Sequence, residues 1–310
     1  MFSSRQKFLI AIVLGFTGLL TAQNKLPELS KLVSRSHAQR TIELNPFFEK
    51  DFRDQDSITV FNQFHAIEEL AYKLKDEDLK LEVDWMRLLY YTSRRDYVDK
   101  DSIVRKLIQM NDFAKSKNKK WLELKSLNLL ADFLFNMHNE YGLGFEYLER
   151  VAQLLKGVST KEFPLKRNYL FHLARAYYYF DEHDKVISLL RKVEKMKSPL
   201  DSYFYEMRIL AMLGVSYRNI KKLDSSSYYF KLGYDNAKKF NDPVWKGISS
   251  GDIGENYLIQ EEVEKAKSLI TFDAKIALEN EDWGLASNAH ALLSQIELER
   301  KELRPTIKER

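Results

Sequence analysis

Between residues 164 and 297 the chain repeats one phrase of apolar, small and aromatic positions. Leu173-Ala174-Arg175-Ala176-Tyr177 aligns with Leu213-Gly214-Val215-Ser216-Tyr217 and Ile253-Gly254-Glu255-Asn256-Tyr257, at a step of 40 residues each time. In each copy an apolar residue precedes a small one, and a tyrosine follows three positions on. The step continues to Leu293-Ser294, where Glu297 replaces the tyrosine. Twelve residues after the small position stand Val186, Ser226 and Ala266, and four further on stand Leu190, Phe230 and Ile270. Spacings of three and four mark one buried face of an α-helix. Each repeat therefore predicts a pair of helices. The small residue lets a neighbouring helix approach closely, and the tyrosine fills the space beside it.

Polar punctuation sets the element boundaries. A second helix is expected from about Asp224 to Phe240, opened by Asp224 as its N-cap. Asn241-Asp242-Pro243 closes that repeat, with Asp242 capping the next helix and Pro243 in its first turn. Phe163-Pro164 and Ser198-Pro199 mark earlier junctions, and Trp121, Trp245 and Trp283 sit near the starts of first helices. Upstream the pattern thins. Over 120–157 it survives in the turn Asn139-Glu140-Tyr141 and in Gly144 at the small position. Over 78–117 it survives in Trp85, Leu88, Leu89 and a helix beginning at Asp99. Ser57 to Leu74 reads as one amphipathic helix. The organisation that follows is a partly ordered lead-in over 23–56, a helical repeat array over 57–303 and a polar tail over 304–310.

This arrangement resembles the tetratricopeptide repeat (TPR) family. Its pattern is matched by Leu170, Leu173-Ala174, Tyr177, Val186, Leu190 and Pro199, and again by Ile253-Gly254, Tyr257, Ala266 and Ile270. Two features depart from it. The period is 40 residues rather than about 34, and Asp273 stands where the family prefers alanine. The resemblance implies an all-α, right-handed superhelical solenoid of antiparallel helix pairs, binding a protein or peptide ligand in a concave groove. The family's groove positions carry across to Asn168, Phe171, Arg175, Tyr178 and Tyr179 in one repeat. They fall on Arg208, Arg218 and Asn219 in the next, and on Glu255 and Leu258 in the third. Tyr177 is assigned inward by the repeat, which leaves Tyr178 and Tyr179 on the groove side. Tyr and Arg are common energetic anchors of interfaces. The paired Lys/Asn clamp of TPRs that hold a C-terminal carboxylate is missing. The phrase Leu213 to Arg218 with Asp224-Ser225-Ser226 also looks like the exported sensor half of TPR-containing bacterial regulators. A truncated sensor half is the alternative reading, since neither a membrane helix nor an output domain accompanies the array. An enzyme on a helical superhelix is the third.

Composition narrows the function further. The 310 residues include 11 glycines, 6 prolines and no cysteine, against averages of about 7% Gly and about 5% Pro. That scarcity suits helices joined by short turns. It also removes disulfides, thiolate metal sites, Cys nucleophiles and an acylated lipoprotein anchor. Met1 to Gln23 has the pattern of a secretory signal peptide: Arg5 and Lys7, a 13-residue apolar run from Phe8 to Leu20, then Thr21-Ala22. Export to the periplasm or cell surface of a Gram-negative bacterium is the expected location, with no membrane attachment after cleavage at residue 22. Without Arg5 and Lys7 the net charge falls from +4 to +2, too even to draw nucleic acid.

Candidate chemistry is sparse. Gly142-x-Gly144 lacks the glycine at 147 (Tyr147) and the preceding strand that a dinucleotide loop needs. The histidines at 37, 65, 138, 172, 183 and 290 never flank a glutamate in zinc-protease spacing. His138 and His183, beside acidic neighbours at turns, read as solvated residues. Adjacent pairs such as Glu68-Glu69 and Glu261-Glu262 point to different sides of a helix. No Gly-x-Ser-x-Gly elbow occurs. The expectation is no catalytic residue, no metal and no cofactor.

Overall fold

The computed structural model describes residues 29–49, 55–93 and 99–308. The signal-peptide reading lies outside them. The described residues form 13 α-helices and no strand. A 3-10 turn, Leu29–Leu32, is followed by α1 (His37–Glu49), α2 (Ser57–Leu74), α3 (Glu77–Ser93), α4 (Lys100–Ser116), α5 (Lys120–Met137) and α6 (Tyr141–Leu154). Then come α7 (Lys166–Tyr179), α8 (His183–Glu194), α9 (Tyr203–Asn219), α10 (Leu223–Lys239), α11 (Pro243–Ile259), α12 (Val263–Glu279) and α13 (Trp283–Lys308). No described helix is long and apolar enough to cross a membrane.

The chain divides into two compact units. Within the described residues, the N-terminal unit holds 29–176 and 195–201, and the C-terminal unit holds 177–194 and 202–308. In both, consecutive helices pack side by side, and first helices also touch across a repeat, α3 with α5 and α9 with α11. The N-terminal core gathers Phe64, Ile67, Leu79, Met86, Leu107 and Leu122, all fully buried. In the C-terminal unit, Val186, Leu190, Leu213, Phe230, Ala266 and Ile270 are buried at the positions that the repeat marks.

The 40-residue step is visible in the backbone itself. Asp181, Lys221 and Glu261 all adopt left-handed conformations, with φ of 59°, 62° and 62°, and so do Asn241 and Glu281 at 53° and 57°. At each of the first three, the next residue's N–H reaches back to a carbonyl five residues earlier: Glu182 to Tyr177, Lys222 to Tyr217 and Glu262 to Tyr257, all at 2.9 Å. Together with the Asp181, Lys221 and Glu261 N–H bonds to Tyr178, Arg218 and Leu258, these complete a Schellman end. The repeat tyrosine thus supplies the carbonyl that closes its helix. The small position is equally physical. A Cβ on Gly214 would lie 2.4 Å from the Phe230 ring, and one on Gly254 would lie 2.8 Å from Ile270 Cγ1. Gly144 sits likewise against the Ala131 carbonyl.

Several boundaries match the pattern and some shift. The Ser57–Leu74 helix is present, Asp99 caps α4 and Asp242 Oδ1 accepts from the Trp245 N–H at 3.0 Å, with Pro243 in the first turn. Asp224 is not the cap expected of it. Helix α10 starts one residue earlier, behind Lys222 without a side-chain cap, and Asp224 lies in its first turn, where a carboxylate favours the helix dipole. The lead-in stretch carries α1, and the last helix continues through Lys308.

Candidate functional site

The expected groove positions separate by burial. In the N-terminal unit Phe171 is fully buried. That corrects its assignment: α7 turns this position into the core, where no ligand reaches it. Asn168 and Arg175 are partly exposed. Arg175 Nη2 donates to Asn136 Oδ1 at 3.3 Å, and Nη1 lies 3.8 Å from Asp132 Oδ1. Asn136 also donates to Asp132, at 2.8 Å. Asn136 stands 39 residues before Arg175, nearly one repeat away, and that spacing is the signal by which the sequence could have paired them.

In the C-terminal unit the aromatic run is phased differently from the expectation. Tyr178 is the buried member, at 9% exposure, with its ring edge-on to His183 at 5.3 Å. Tyr177 is half-exposed, and Lys185 Nζ sits 5.4 Å over its ring. Tyr179 remains half-exposed, edge-on to Phe180. His183 is buried rather than solvated: Asn219 Nδ2 donates to its Nε2 at 3.1 Å. Arg208 is half-exposed, its guanidinium 5.6 Å from the Phe204 ring. Glu255 and Leu258 are half-exposed as well.

Arg218, expected in the groove, is buried at 8% exposure. It is the hub of an ionic cluster. Its Nη1 and Nη2 donate to the carbonyl and Oδ1 of Asp252 at 3.1 and 3.0 Å, and Nη2 meets Glu255 Oε2 at 2.9 Å. The Phe230 ring lies 5.2 Å from the guanidinium. Asp273 completes the cluster from α12, lodged against Gly247 and Gly251 of α11. Burial drives the Asp252 carboxyl up to about 7, with Arg218 opposing and Glu255 and Asp273 assisting. Burial, then the charges of Glu255 and Asp282, raises Asp273 to about 7 as well.

A second buried network lies in the N-terminal unit, on residues that the sequence reading left unassigned. Glu82 accepts from His37 Nδ1 at 2.6 Å and from Lys125 Nζ at 2.7 Å. An ionised carboxylate only accepts, so Nδ1 carries the proton and Nε2 is left to accept from Thr41 Oγ1, 3.3 Å away. The His37 ring stacks on Trp121 with centroids 4.4 Å apart, and Lys125 Nζ sits 4.4 Å over Trp85. Burial raises the Glu82 carboxyl, but Lys125 and His37 outweigh it and hold it down to about 2. Burial and the Lys125 charge lower His37 in turn. A buried, fully paired triad of this kind fixes helix positions and leaves no reacting atom open. Among the described residues no group of three His, Asp or Glu side chains is placed to hold a metal ion.

No protein-family model matches the chain, and no curated protein matches its sequence. A solved structure does match in fold: a variant of nearly identical TPR-like repeats, ascribed to a kinesin-light-chain-like protein of Podosopora anserina. It aligns over 66% of this chain and 97% of its own, with a TM-score of 0.54 and 15% identity. The likeness is one of fold, and with the recurring turns and buried repeat positions it makes the described chain an all-α protein built on the TPR-like plan.

Proposed function

We propose that the chain is a scaffold that binds a protein or peptide ligand through side chains of its first helices, without catalysis of its own. One observation carries the reading. Arg208 on α9 and Leu258 on α11 stay half-exposed, although Ala211, Met212 and Gly254, three or four positions away on the same helices, are buried. A guanidinium over an aromatic ring and an open leucine are the groups from which interface anchors are made. TPR-like repeats generally present such rows to partners.

The Met1 to Gln23 pattern supports export, to the periplasm or cell surface. A narrower reading draws on the Leu213 to Arg218 phrase: the chain would be the sensor half of a bacterial TPR regulator. One experiment addresses both. Cross-linking pull-down with the mature protein in its native envelope should capture a partner. Arg208→Glu with Leu258→Ala should lower that capture at least about tenfold at unchanged helicity, the scale of an anchor residue. Full capture by the double variant would refute the surface. A membrane-embedded output protein among the captured species would favour the sensor reading.

A further inference from the structure

The Arg218 cluster carries more negative charge than its one guanidinium can pair. Arg218 on α9 is already engaged by Asp252 and Glu255 of α11. Asp252 Oδ2 is buried and meets no hydrogen-bond partner. Asp273 faces Glu255 and Asp282, both acidic. Among the described residues, Arg218 is the cation that acts on Asp252, and the charges that act on Asp273 are acidic; α10 brings the Phe230 ring, and the end of α7 brings the Tyr178 phenol beside Arg218.

Asp273 is also built in. A Cβ on Gly251 would lie 2.4 Å from its Oδ2, and one on Gly247 would lie 3.1 Å from its Oδ1. Helix α11 gives up two side chains where α12 brings a carboxyl, at the position where the resemblance led one to expect alanine. A carboxyl held in such a place without a cation sheds its charge by taking a proton.

We propose that protons held on the Asp252 and Asp273 carboxyls are a working part of the packing between α9, α11 and α12. Those helices tighten together in mild acid and loosen as the pH rises towards neutral. The direction follows from linkage. The unfolded chain releases these protons near pH 4, its ordinary carboxyl range, and the folded chain keeps them up to about pH 7. Stability from the cluster is therefore fullest below pH 4, is lost as pH rises to about 7, and is flat beyond.

Hydrogen exchange on the full chain tests this, with opening constants corrected for the intrinsic pH dependence of exchange. Peptides covering 243–279 should open at least about tenfold more often at pH 8.5 than at pH 5.5. Asp273→Asn, which keeps the shape of the protonated acid, should stay protected at pH 8.5 and lose most of the pH response. Equal opening of the unaltered chain at both pH values overturns the proposal whether or not the variant folds. So does a variant with the unaltered chain's pH response.

Discussion

At the scale of single residues, the turns that close the first helices are the most telling feature. Lys221 and Glu261 occupy left-handed backbone without being glycine. That conformation costs an L-residue roughly 1–2 kcal/mol, partly offset because glycine would lose more chain entropy on folding. Lys221→Gly and Glu261→Gly should each stabilise the C-terminal unit by about 0.5–1 kcal/mol, read from urea denaturation. A loss of stability in both would show that these side chains make compensating contacts. The scarcity of glycine had suggested short turns, but not that charged residues would fill their left-handed sites. Residue phase was the other blind spot. Four aromatics in a row, Tyr177 to Phe180, carry no internal pattern to say which faces inward. The ring of Tyr178 is placed by His183, across the turn. Phe171 fell to the core because groove positions carried over from a family do not say how α7 is turned about its axis.

At the scale of elements, the docking of α1 depends on groups that no periodicity reveals. Its His37 enters the buried Glu82–Lys125 pair, and its Arg40 forms an ion pair with Asp76 while donating to the Leu32 carbonyl at 3.1 Å. The sequence separations are 45 residues from His37 to Glu82 and 43 from Glu82 to Lys125. A reading that treats lone charges as solvated faces passes over such links. The helix pairs themselves were legible because small and aromatic residues recur at fixed steps. The buried charges were not, because each partner lies about one repeat away on another helix. Lys125→Met should cost about 3–5 kcal/mol by stranding the Glu82 carboxylate, and adding Glu82→Leu should recover most of that loss. Denaturation of the two variants checks it. A single variant within about 1 kcal/mol of the parent, on the scale of an exposed pair, would mean that Glu82 finds another donor.

At the scale of the whole molecule, the two units carry proton linkages of opposite sign. In the N-terminal unit His37 is lowered below its usual 6.5 and Glu82 is held down to about 2 from 4.5. Both favour the deprotonated form on folding. Their contribution is full above pH 6.5 and drains away as the pH falls, first through His37 and then through Glu82. The C-terminal cluster runs the other way. Tryptophan reports each unit separately, with Trp85 and Trp121 in one and Trp245 and Trp283 in the other. With Trp245 and Trp283 replaced by phenylalanine, the remaining fluorescence should show a urea midpoint that drops between pH 7 and pH 4. A midpoint that rises or holds over that range would place the titrating groups elsewhere.

The recurring Schellman turns bear on how a chain of this kind lengthens. Asp181, Lys221 and Glu261 differ in charge and size, yet the backbone passes through the same conformation at each, held by carbonyls of the preceding helix. The joint thus accepts acidic and basic side chains alike, at a modest cost in backbone strain. A stretch of coding sequence cut at one such joint and inserted at another, 40 residues along, meets matching backbone on both sides. Unequal recombination between repeats then adds or removes a helix pair without a new loop having to evolve.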